Sequence, residues 1–170
     1  MENEFDWASW LKAERLAKGW AKRKVARKSG VLETEVDNLQ TVLYRVELGK
    51  VNLSMRTLIL ISRAFSLLPK DIFSLANAPF VYPTGEEKFD RNTIGAFVKT
   101  RRKRLGYNLE KLSEQIEFTL GWLSLMERSF PIKINVDRVI ELDRVLRCDG
   151  VLTGLSWALV ENELKAHLQK

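Results

Sequence analysis

Ile94-Gly-Ala-Phe-Val-Lys-Thr-Arg-Arg-Lys-Arg-Leu-Gly-Tyr-Asn-Leu-Glu-Lys-Leu-Ser-Glu-Gln-Ile116 decides how this chain is read, because an earlier stretch repeats its pattern. Shifted by 87 positions, Trp7, Trp10, Leu11, Lys12, Arg15, Gly19, Trp20, Lys24, Val25 and Val31 align with Ile94, Phe97, Val98, Lys99, Arg102, Gly106, Tyr107, Lys111, Leu112 and Phe118. Apolar residues meet apolar residues throughout, and such self-similarity marks one structural unit used twice. Further along the shift falls to about 81, setting Met55, Leu58, Ile61 and Phe65 against Val136, Val139, Leu142 and Leu146. The first copy therefore carries roughly six extra residues, between Leu39 and Glu47.

Working outward, the helix period dominates. Phe5, Trp7, Trp10, Leu11 and Leu16 recur at helical spacing with Lys12, Arg15 and Lys18 between them, and Leu58, Ile61, Ala64 and Phe65 form another apolar stripe. Strand alternation is hard to find, so the expected class is all-α. Pro79, Pro83, Gly85 and the acidic pair Glu86 and Glu87 interrupt the helical pattern between Asn77 and Asn92. The break divides the chain into a domain over 1–77, a linker over 78–92, a second domain over 93–154 and a C-terminal helix over 155–170. The first domain holds 13 cationic and 9 acidic side chains, a net +4; the second domain and last helix together hold 13 and 10, a net +3; the linker is at −1.

With 170 residues, 45% of them hydrophobic, the chain has material for two small cores. A net charge of +6 favours an acidic partner such as nucleic acid. One cysteine, Cys148, and one histidine, His167, cannot assemble a zinc site, a disulfide framework or a Cys/His nucleophilic pair. No G-x-S-x-G, P-loop or paired-carboxylate arrangement appears, so neither an enzyme nor a cofactor or metal is expected. No apolar run reaches the roughly 18 residues that cross a bilayer, and a cytoplasmic, nucleoid-associated location is expected.

The second copy, Ile94 to Ile116 and on through Leu123, Met126 and Glu127, resembles the lambda-repressor/Cro-type helix-turn-helix family. The first is similar to it through Arg15, Gly19, Val25-Ala-Arg-Lys-Ser-Gly-Val31 and Glu47-Leu-Gly-Lys-Val-Asn52. The resemblance implies two tandem helix-turn-helix bundles, with helices two and three of each forming the DNA-reading motif and helix three entering the major groove. It also makes Arg102 the partner of a nearby acid.

On that plan Lys22, Arg23, Lys24, Arg27 and Lys28 crowd helix two of the first copy, where the family abuts the phosphate backbone. The bland alternative for such a run is a solvated helix face. Lys99, Arg101, Lys103 and Arg104 make a similar run late in the first helix of the second copy, where cations also suit the helix dipole. Helix three of the first copy has no Gly or Pro from Leu32 to Gly49, and Val36, Leu39, Leu43 and Val46 keep one stripe across the insertion. Thr34, Asn38, Thr41 and Arg45 fall on another face as candidates for base contact. Glu33, Glu35 and Asp37 would repel phosphates there unless they hold neighbouring arginines.

The corresponding helix of the second copy offers Leu120, Trp122 and Leu125 where polar readers are needed. Such a surface marks a protein interface, or else lies under the C-terminal helix. The expected function is a DNA-binding transcriptional regulator, a repressor, on double-stranded DNA, with a homodimer or protein partner through the second domain. The alternative is an accessory subunit of a mobile-element, phage or toxin-neutralising system on a degenerate helix-turn-helix scaffold.

Overall fold

A computed structural model describes residues 5–84 and 89–169. Gly85, Glu86 and Glu87 of the expected linker lie outside the described residues, as do positions 1–4 of the first domain and Lys170 of the last helix. The chain is all-helical. The first half comprises α1 (Trp7–Ala17), α2 (Lys22–Lys28), a 3-10 turn (Glu33–Glu35), α3 (Val36–Glu47), α4 (Met55–Phe65) and α5 (Pro69–Leu75). The second comprises α6 (Arg91–Arg104), α7 (Leu109–Ile116), α8 (Leu120–Arg128), α9 (Val136–Val145) and α10 (Val151–Leu168).

Local sequence sets several of these starts. Asp6, Ser54, Asp90, Asn108 and Thr119 each accept a backbone N–H three residues on, capping α1, α4, α6, α7 and α8; each such cap is worth about 1 kcal/mol. Gly150, which precedes α10 with φ +90°, has no side chain to do this. The carboxylate of Asp143 substitutes from α9, accepting Gly150 N–H at 2.8 Å and Thr153 N–H at 2.9 Å. α10 therefore begins at Val151, four residues before the C-terminal helix expected from 155, because that remote cap offsets the poor helix formers Thr153 and Gly154.

Each half is locked by one ionic clasp. Arg15 binds the Glu47 carboxylate with Nε at 2.7 Å and Nη2 at 2.9 Å, while Nη1 donates to the Trp20 carbonyl at 2.8 Å. Arg102 grips Glu127 in the same two-pronged way, with Nη2 at 2.8 Å and Nη1 donating to the Tyr107 carbonyl at 2.7 Å. Arg102 and Tyr107 lie 87 positions after Arg15 and Trp20, but Glu127 lies only 80 after Glu47, so the stretch leading to the clasp is seven residues longer in the first half, where it holds the 3-10 turn and an α3 of 12 residues against 9 in α8. Val36, Leu39, Leu43 and Val46 are the buried apolar residues of α3, and Leu123 and Met126 are those of α8.

The halves meet reciprocally. Met55 N–H donates to the Ile134 carbonyl and Val136 N–H to the Leu53 carbonyl, both at 2.9 Å, around an isolated antiparallel bridge between Ser54 and Asn135. Leu53 and Ile134 are equivalent positions of the two copies, as are Met55 and Val136, so each half offers the other the same edge. That is the geometry of an isologous contact. Trp7 Nε1 adds a bond to Asp137 Oδ1 at 2.8 Å, from α1 to α9.

α10 completes the core, packing against α4, α6 and α9. It is buried on every side from Leu152 to Val160, and α4 is similarly enclosed over Leu58–Ile61. Residues 78–84 lie on α10 as well. Val81 N–H donates to the Gly150 carbonyl at 3.1 Å, Phe80 stacks on Phe73 with centroids 5.1 Å apart, and both rings meet Trp157 edge-on. Gly154 is required there: a Cβ on it would fall 1.7 Å from the Val81 carbonyl oxygen.

Candidate nucleic-acid interface

Helix α2 turns Val25 and Ala26 into the core, which leaves its cations outside. They divide into two sets. Lys22 Nζ lies 3.0 Å from Glu47 Oε2 and is drawn into the Arg15 clasp. Arg23 reaches Asp37 at 3.5 Å, and Arg27 reaches Glu33 at 2.9 Å. Lys24 and Lys28 take part in no ion pair among the described residues. Their ammonium groups stand 5.4 and 5.1 Å from the centroid of the Trp20 ring, and Lys18 from the end of α1 joins them at 5.6 Å.

Trp20 is itself stacked on Phe65, with centroids 5.4 Å apart and planes 6° from parallel. The indole quadrupole offsets part of the repulsion among three neighbouring cations. What is left is a local positive potential that an anion would relieve. Lys18 and Trp20 were absent from the phosphate candidates, although the spacing of Lys24 and Lys28 carries part of the signal: positions i and i+4 share one face of α2, and Trp20 stands just before its N-cap. At the equivalent place in the second half a single lysine, Lys111, stands 4.8 Å from the Tyr107 ring.

The face of helix three beside this cluster is arranged consistently. Arg27 holds the Glu33 carboxyl below the usual carboxylate range through its hydrogen bond, and Asp37 faces Arg23. Glu35 faces Arg56, with Arg56 Nη2 3.2 Å from Glu35 Oε1. Glu33 and Glu35 of the 3-10 turn and Asp37 of α3 thus each have an arginine partner. Thr34, Asn38, Thr41 and Arg45 are exposed. The Thr41 hydroxyl is turned back to the Asp37 carbonyl at 2.9 Å, so among the described residues three of the four candidates keep free side chains.

The second half differs. Arg102 is spent in the clasp, and Arg101 donates to the Leu146 carbonyl at 3.1 Å and to that of Arg147. On α8, Leu120 is 43% and Leu125 60% exposed, while Trp122 lies tilted against Phe118 with centroids 4.0 Å apart. The reading that the C-terminal helix covers this patch is corrected. α10 is drawn instead onto α4, α6 and α9, where its long apolar surface finds both halves at once.

No family model, no curated protein and no solved structure matches this chain.

The remaining candidate groups are accounted for by packing. Among the described residues no cluster of metal-ligating side chains occurs and no helix is long and apolar enough to cross a membrane. Cys148 is buried, and burial followed by the nearby Asp143 charge pushes its thiol up to about 12. The thiolate is the reactive form, so iodoacetamide is expected to leave Cys148 of the native chain unmodified at pH 8 and to label it promptly in urea; mass spectrometry of both reactions checks this. His167 has Nε2 3.2 Å from Glu35 Oε1, although its side chain stays half exposed.

Proposed function

We propose that the chain is a duplex-DNA-binding transcriptional regulator, acting as a repressor, built from two tandem copies of a lambda-repressor/Cro-type helix-turn-helix bundle. The observation that carries this reading is the unpaired trio Lys18, Lys24 and Lys28 around Trp20, beside a helix three whose acids are already held by arginines. The trio supplies sequence-independent grip on phosphates, and Thr34, Asn38 and Arg45 supply hydrogen-bonding groups for base edges. The reciprocal contact at Ser54 and Asn135 supports the same reading, since helix-turn-helix proteins commonly use two-fold pairs of such units on DNA.

A second reading concerns the second half alone. Exposed Leu120 and Leu125 favour a protein partner or another copy of the chain over base contact. An accessory role for that half is compatible with DNA binding by the first.

Anisotropy titrations of an arbitrary labelled duplex between 50 and 200 mM salt, concentrations over which phosphate contacts register strongly, test the proposal. Replacing Lys18, Lys24 and Lys28 by Ala is expected to flatten the slope of log K against log salt by roughly 2 to 3, about 0.9 per phosphate contact. Lys22→Ala with Arg23→Ala should change it less, because Glu47 and Asp37 already face those charges. Absence of binding at the low-salt end, or an unaltered slope in the triple variant, overturns the assignment.

A further inference from the structure

Two parts of the chain fall outside the repeated plan: the additional length of the 3-10 turn and α3, and the far end of α10. They come together. Val42 and Arg45 from α3, and Val160 and His167 from α10, wall a cavity of about 580 Å³. The equivalent segments 51–54 and 132–135 supply much of the remaining wall, with Glu35, Arg56, Thr57, Glu163 and Leu164 completing it, so the cavity sits where the two halves exchange their reciprocal bonds. Its size is that of a small-molecule site, and a junction between structural units is where such sites concentrate.

The lining has three chemical parts. Val42, Val51, Ile132 and Val160 are apolar. Glu35 places Oε1 against Arg56 and His167, but its Oε2 is buried and accepts no hydrogen bond among the described residues. A buried carboxylate oxygen left without a donor is costly, and a turn of the Glu35 side chain into the cavity would bring this oxygen to a donor on a ligand, which removes the cost. Arg45 and Lys133 carry full positive charges into the same wall and make no ion pair among the described residues. An unmet acceptor, two unmet cations and an apolar surface together define a complement: a donor group, an acid group and an apolar body in one small molecule.

We infer that this cavity binds a small apolar zwitterion, of which an apolar α-amino acid is the simplest case, with its ammonium on Glu35, its carboxylate on Arg45 and Lys133, and its side chain on the valines and Ile132. The inference shares Arg45 with the proposed base contact but does not depend on it, and its test measures no DNA. L-phenylalanine, 3-phenylpropionate and phenethylamine keep one body and vary the two charges. In calorimetric titrations of the full chain, L-phenylalanine is expected to bind with a Kd below about 1 mM, and each truncated probe about tenfold more weakly, the loss that one charge-assisted hydrogen bond represents. Glu35→Gln should weaken L-phenylalanine but not 3-phenylpropionate, and Arg45→Ala with Lys133→Ala should weaken it but not phenethylamine. Val42→Trp fills the cavity from its rim and is expected to abolish binding while the circular dichroism spectrum and Tm stay those of the wild type. Should Val42→Trp unfold the chain, the two charge variants decide the matter alone. No saturable binding of any probe, equal affinity for all three, or binding indifferent to these substitutions overturns the inference.

Discussion

Glu127→Ala is expected to cost about 3 to 5 kcal/mol of folding stability, the usual range for breaking a buried ion pair by removing one partner. Arg102 and Glu127 are both buried, and the guanidinium makes every one of its described bonds inside the clasp and to the Tyr107 carbonyl. Without the carboxylate, a cation stays in the core with one carbonyl for company. Urea denaturation of the purified variant measures the loss, and a change under 1 kcal/mol would show that the pair is only decorative. Arg102→Met with Glu127→Leu should recover most of the stability, since apolar replacement of a whole buried pair is often neutral or better. In the first half the same clasp carries an acid limb. Burial pushes Glu47 up, but hydrogen bonds from Arg15 and Lys22 outweigh it and hold its carboxyl below the ordinary 4.5. A carboxylate depressed in the folded state contributes fully above its unfolded pKa, so this share of stability is present above about pH 4.5 and drains away as pH falls below it.

Gly154→Ala should be nearly as damaging, by about 3 kcal/mol, at the upper end for overpacking a rigid interior. The new Cβ would lie 1.7 Å from a backbone oxygen, and neither partner is a flexible side chain tip. Residues 79–83 would have to leave α10, breaking the Val81 to Gly150 bond and uncovering Phe80 from Phe73 and Trp157. Limited proteolysis provides the local readout: cleavage within 78–84 is expected to accelerate in the variant. Wild-type stability together with an unchanged digestion pattern would mean that this segment does not depend on its seat.

The all-helical class was legible because amphipathic stripes recur with few interruptions, and the pairing of Arg102 with an acid followed from the resemblance. The bond set joining the halves was not. Two backbone hydrogen bonds from short extended stretches leave no period in a sequence, and nothing distinguishes Ser54 or Asn135 from ordinary helix-capping residues. Phe80 and Val81 stand among prolines that signal irregular chain, and that signal is silent on whether irregular chain is docked. For the candidate interface, the sequence displays a run of cations but not which of them an acid has claimed. Lys22 and Lys24 are indistinguishable on paper, yet one faces Glu47 and the other faces Trp20. Which cations remain free is decided by where Glu33, Asp37 and Glu47 fall on helix three, a tertiary fact.

The reciprocal bridge has a consequence for dilution. When two separate copies of a protein pair through a shared edge, the pair obeys mass action and lapses below its dissociation constant. Here the same edge joins two halves of one polypeptide, so their partnership survives at any concentration, down to a single molecule in a cell. Encoded side by side, the halves are also released from being identical: α8 can carry Leu125 while α3 keeps Asn38 and a greater length, a divergence that no pair made from one repeated chain could hold.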